Sequence, residues 1–155
     1  MEVKKKKECY AVSKMIIRYG KGVNMKLLLV DDEKLFLETV KEYINWNEMG
    51  VTEIETAYSV AQTKQCLEQK DIDIVISDIE MPDENGMELM KWLQDYDQRV
   101  IKMLVSCHEE FSYVVEAMHY GVFNYLVKPI DLQELQRVMK EAVIRLTKYD
   151  MRSYF

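Results

Sequence analysis

Four short apolar runs in this chain each end in a residue able to do chemistry. Leu27 to Val30 ends at Asp31-Asp32, Ile74 to Ser77 at Asp78, Ile101 to Val105 at Ser106, and Phe123 to Val127 at Lys128-Pro129. Together they offer three carboxylates, a hydroxyl and an ammonium. Carboxylates held close together repel unless something neutralises them. A hard divalent cation with oxygen ligands does so, and Mg²⁺ typically takes one or two carboxylates, waters and phosphate oxygens. Asp78 is then a metal-held nucleophile whose carboxylate can attack phosphorus to form an acyl phosphate. Lys128 and Ser106 would neutralise charge on the phosphoryl oxygens. Lysine suits that role as a mobile point charge.

The elements that must position these groups follow from the alternation of apolar runs with helix-like sequence, which reads as a parallel α/β sheet. Strands are expected at 26–30, 52–57, 73–77, 101–105 and 123–127 (β1 to β5), and helices at 33–46, 59–69, 86–95, 109–119 and 131–148 (α1 to α5). Ser59 with Gln62, and Asp131 with Glu134, have the capping-box spacing of a helix start. Leu135, Val138, Met139, Ala142, Val143 and Leu146 give α5 one apolar stripe. Met81 to Gly86 is a turn cluster directly after Asp78. A doubly wound five-stranded sheet of order 2-1-3-4-5, the flavodoxin-like (βα)5 fold, would make β1 and β3 neighbours. Asp31 and Asp32 would then face Asp78 across the crevice at the carboxyl ends of the strands, where ligands of such sheets bind.

Composition sets the outer bounds. The chain has 155 residues, 48% of them apolar, which fits one domain with a real core. No apolar stretch approaches the roughly 20 residues needed to cross a bilayer. Cys9, Cys66 and Cys107 are odd in number and form no CxxC pair, which points to a reducing cytosol and no structural metal. Residues 1–24 carry seven Lys/Arg and two Glu and so are +5, whereas the other 131 residues are −11. The acidic body argues against direct nucleic-acid binding, because phosphate contacts need Lys and Arg. Residues 1–24 read as a disordered basic extension or as a mis-started segment ahead of Met25. Residues 25–148 form the domain and 149–155 a tail.

The stretches KLLLVDDEKLF, DIVISDIEMPDENGMEL and MLVSCHEEFSYVVEAMHYGVFNYLVKPID resemble a response-regulator receiver domain of histidine-aspartate phosphorelays, from about Lys26 to about Leu146. The resemblance implies that Asp78 is the phosphoacceptor and that Asp31, Asp32, Asp78 and the backbone carbonyl of Glu80 hold Mg²⁺. Lys128 would bind phosphate, with a cis bond to Pro129, and Ser106 and Tyr125 would be the switch pair. It implies a cytoplasmic signalling switch rather than an enzyme on an external substrate. A sensor histidine kinase is the expected donor, and the α4-β5-α5 surface is the region that changes and a candidate homodimer contact. The last stretch is most similar to receivers that often precede AraC-type helix-turn-helix domains. Only Thr147 to Phe155 follow here, too few for a DNA-binding fold, so the chain reads as a single-domain regulator or a piece of a longer one.

Competing chemistries fit less well. Asp71-Ile72-Asp73-Ile74-Val75 has the letters of an aspartyl-phosphate phosphatase motif but precedes its strand, away from the crevice. A flavodoxin-type flavin phosphate would be repelled by Asp31-Asp32-Glu33. A phosphorylation-independent interaction module is left as the other functional class. Neither His108 nor His119 has a Cys or His partner at metal-ligand spacing. His119 reads as a surface residue, and His108 with Glu80 as a pair that could tune phosphoryl lifetime. Cys107, larger than the very small residue usual there, reads as a buried inert thiol.

Overall fold

The computed structural model describes residues 24–108 and 110–152, with side chains through 147. Expectations for residues 1–23 and for the last three residues lie outside the described residues. Five strands, Met25–Val30 (β1), Val51–Ala57 (β2), Ile74–Asp78 (β3), Ile101–Ser106 (β4) and Asn124–Val127 (β5), form one sheet of order β2-β1-β3-β4-β5. Every neighbouring pair is parallel. This is the flavodoxin-like, doubly wound arrangement expected from the sequence.

Alternation along each strand divides the core in two. Leu27, Leu29, Ile74, Ile76, Met103 and Val105 face one side, where they meet Leu37 of α1 (Lys34–Tyr43) and Leu135, Val138, Met139, Ala142 and Leu146 of α5 (Leu132–Arg152). Leu28, Val30, Val75 and Leu104 face the other side. There they meet Val60 and Leu67 of α2 (Val60–Gln69), Leu89, Met90 and Leu93 of α3 (Gly86–Tyr96), and Ala117 of α4 (Phe111–His119). Strands apolar on both faces need cover on both. Each fully buried Leu or Met contributes about 2 kcal/mol of apolar transfer, so the paired layers fix where each strand ends.

Helix starts follow local chemistry. The Ser59 hydroxyl accepts from the Gln62 amide at 3.1 Å, while the Gln62 side chain reaches back to the Tyr58 amide at 2.9 Å. Asp131 accepts from the amides of Gln133 and Glu134. The expected first helix, 33–46, is shorter than its pattern. It stops at Tyr43, Ile44 is extended, and a separate 3₁₀ turn, Trp46–Met49, follows. The cause is Trp46, which is buried and donates its indole N–H to the Val40 carbonyl at 3.1 Å. The turn closes at Gly50, whose φ of 87° is the left-handed conformation glycine adopts without strain. Among the described residues no helix is long and apolar enough to cross a membrane.

Candidate functional site

Parallel pairing brings the strand ends together. Val30 is in register with Ser77, so Asp31 and Asp78 extend from adjacent strands at the same edge of the sheet. Asp31 is buried, and one of its carboxylate oxygens accepts from the Glu33 amide at 2.9 Å. The other takes the Lys128 ammonium at 3.0 Å. Lys128 also lies 3.6 Å from Asp78. Asp32, more exposed, completes the acidic group: one oxygen from each of Asp31, Asp32 and Asp78 lies within 4.8 Å of the others.

Electrostatics mark Asp78 as the strained member. Burial first, then repulsion from Asp31, pushes its carboxyl up to about 6, against the offsetting pull of Lys128. Lys128 is shifted in the sense that keeps it charged, because its bonds to Asp31 and Asp78 outweigh the burial that opposes them. Three oxygens this close, one of them costly to ionise, fit a hard divalent cation. The Lys128 ammonium also lies over the Phe36 ring, 4.1 Å from its centroid. Reading the sequence for chemistry passed over Phe36. Its only signal is position, one helical turn after Asp32.

Other expected residues fall on β4, on β5 and on the loops after β3 and β4. Ser106, the last residue of β4, is buried and accepts from the His108 amide at 3.1 Å. Its carbonyl accepts from the Lys128 amide at 2.8 Å, which ties the hydroxyl's strand to the ammonium's. The Lys128-Pro129 bond is cis, as expected. Tyr125 is half-buried and donates its hydroxyl to the His108 carbonyl at 2.7 Å. Glu80 follows Asp78 on the loop, and its carboxylate meets the His108 imidazole at 2.8 Å. His119 is exposed on α4, as expected. Cys107 corrects the expectation of a buried thiol. It is exposed, because β4 ends at Ser106 and the chain turns outward there. Asp73 is buried at the amino end of β3, where it accepts from the Lys26 amide at 2.9 Å, far from the acidic group.

Gly86 packs against the backbone of the site, whereas the sequence showed it only as a turn letter. A β-carbon there would sit 2.0 Å from the Asp78 carbonyl oxygen and 3.0 Å from the Ile79 α-carbon. The first turn of α3 is thereby pressed against the backbone that carries Asp78, and the Gly86 amide donates to the Ile79 carbonyl at 2.8 Å. Asn85 caps the helix through the Met87 amide at 2.6 Å.

An open parallel sheet with acids, a hydroxyl and a lysine gathered at its carboxyl edge defines a class of α/β signalling switches. The family model for the response regulator receiver domain matches residues 27–140, and the chain belongs to that family. It is 33% identical over 126 residues to the uncharacterized transcriptional regulatory protein YesN of Bacillus subtilis, covering 81% of this chain and 34% of YesN. An uncharacterized response regulatory protein of Staphylococcus epidermidis is 32% identical, with 78% of this chain and 47% of that protein covered. The chain thus spans half or less of the length of these curated relatives. Among solved structures, the receiver domain of AraT, a response regulator from Geobacillus stearothermophilus, is 29% identical with a TM-score of 0.71. That match covers 81% of this chain and 97% of the other.

Proposed function

We propose that this domain accepts a phosphoryl group on Asp78 from a sensor histidine kinase, in a Mg²⁺-dependent reaction in the cytoplasm. The observation that carries the reading is the Asp78 carboxylate set between two further acids and an ammonium 3.6 Å away. Asp31, Asp32, Asp78 and the Glu80 carbonyl would hold the cation, which when bound neutralises charge on the phosphoryl oxygens. An Asp78 oxygen attacks phosphorus, the bond from phosphorus to the kinase imidazole nitrogen breaks, and the imidazole leaves carrying a proton. Lys128 and Ser106 bind the remaining phosphoryl oxygens. Tyr125 follows Ser106 inward, giving up its bond to the His108 carbonyl, and the α4-β5-α5 surface changes. Phe111 and Met118, both strongly exposed on α4, support that surface as the contact region, for a partner or for a second copy of the domain. The domain is a regulated switch that assists its own phosphorylation and hydrolysis, and any control of transcription belongs to an output domain. Intact-mass spectrometry after incubation with phosphoramidate, with and without Mg²⁺, tests this reading. The expected result is a metal-dependent, alkali-labile adduct of ~80 Da that is absent in Asp78→Asn. No adduct together with no Mg²⁺ binding would replace the reading with a phosphorylation-independent interaction module.

Two smaller effects follow from side chains around Asp78. Phe36→Leu keeps apolar bulk but removes the ring face under Lys128, and should slow phosphorylation by about threefold to tenfold at unchanged Mg²⁺ affinity. An unchanged rate would show that Asp31 alone holds the ammonium. The Glu80–His108 contact bridges the loops on either side of Asp78 and narrows the approach of water. His108→Ala should shorten the phosphoryl half-life, read by the decay of the adduct, by about twofold to fivefold. A longer half-life would mean that the imidazole assists the attacking water instead.

A further inference from the structure

A second charged site lies at the opposite end of the sheet. Lys102 is the second residue of β4, four residues before Ser106, so the two are about 13 Å apart along the strand. Lys102 is 4% exposed, and the charged groups that act on its ammonium are Arg145 and Asp97. The Lys102 ammonium lies 3.4 Å from where a β-carbon of Gly121 would be, and Gly121 and Lys102 both line a small crevice of about 50 Å³ that opens to solvent. Arg145 of α5 lines the same crevice and stacks on Phe123, with its guanidinium 5.2 Å from the ring centroid. Arg99 lines it too, but is committed to Asp97 at 3.3 Å.

The arrangement is electrostatically incomplete. Burial and the neighbouring Arg145 charge both disfavour the charged form of Lys102, and Asp97 only partly offsets them. A nearly buried cation facing another cation is costly unless an anion joins them. The chain as a whole carries a net charge of −6, so a pocket edged by Lys102 and Arg145 stands apart from its surroundings. An ammonium point charge beside a planar guanidinium suits an oxyanion with several acceptor oxygens. We infer that the crevice between Lys102, Gly121 and Arg145 is a binding site for a small anion bearing phosphate or carboxylate groups. The site is separate from Asp78 and independent of its phosphorylation. It touches the amino ends of the two strands whose other ends lead to Ser106 and Lys128.

The test is an NMR titration of the full chain, in the absence of Mg²⁺, with inorganic phosphate in one series and malonate in another. Saturable shifts of the Gly121 and Phe123 amides are expected with at least one probe, and the probe that saturates identifies the group recognised. Lys102→Met and Arg145→Gln should each weaken that binding by about tenfold, whereas Lys128→Ala, which removes the cation of the other site, should leave it intact. Arg145 is exposed, so its replacement tests the site even if Lys102→Met impairs folding. Unsaturated drift with both probes, or saturation equal in Arg145→Gln and the unaltered chain, would overturn the inference.

Discussion

Gly86→Ala should lower the stability of the domain by about 3 kcal/mol or more and weaken Mg²⁺ binding at the same time. The sign is opposite to the usual one, since replacing glycine by alanine within a helix normally gains up to about 1 kcal/mol. Here the three nearest atoms that the added carbon would meet are all backbone: the Asp78 carbonyl oxygen at 2.0 Å, its carbon at 2.9 Å and the Ile79 α-carbon at 3.0 Å. Backbone atoms cannot rotate aside as a side chain would. Either α3 lifts from β3, exposing Met87, Leu89 and Met90, or the Asp78 segment shifts out of the acidic group. Asn85→Ala, which removes only the cap to the Met87 amide, provides the comparison at about 1 kcal/mol. Urea midpoints measure both, and a Gly86→Ala midpoint at or above that of the unaltered chain would sink the argument.

The metal-free domain should carry a stability difference that depends on Asp78 ionisation. Its carboxyl rises from 3.8 to about 6 on folding, so between these values the native state holds a proton that the unfolded chain has lost. The contribution is fully present below pH 3.8 and is lost as pH rises through about 6. Asp78→Asn never ionises there. It should be about 2 kcal/mol more stable than the unaltered domain at pH 7, with the difference closing toward pH 4. Millimolar Mg²⁺ at pH 7 should narrow or reverse the difference, because it stabilises only the ionised carboxylate. Thermal melts of both proteins across this range measure the effect. Equal stability at pH 7 would mean that Lys128 already balances Asp31 and Asp32.

The strand-end residues were legible because they interrupt continuous apolar runs, and that pattern survives whatever surrounds it. Asp31, Asp78, Ser106 and Lys128 fall at or just past the ends of their strands for this reason. Order 2-1-3-4-5 was legible as well, since buried parallel strands joined by helices leave few right-handed windings. What escaped depended on contact across the sheet. Phe36 is one apolar letter among several in α1 until Lys128 arrives from β5. Gly86 looks like an ordinary turn glycine until the backbone of β3 is placed beside it. The break after Tyr43 was hidden because Ile44 and Trp46 continue an apolar pattern while the Trp46 indole bonds back to the Val40 carbonyl. Cys107 was misjudged by extending the burial of β4 one residue too far. Lys102, a charge inside an apolar strand, had the most visible signal of these, and it was an unusual place for a lysine rather than a recognisable motif.

The ion pair between Lys128 and Asp31 joins residues 97 positions apart in the chain, from the ends of β5 and β1, with β3 and β4 between them in the sheet. During synthesis, a chain that has emerged only through β4 has its carboxylates but not the ammonium that balances them. The acidic group at the carboxyl edge is therefore left unbalanced until β5 is in place.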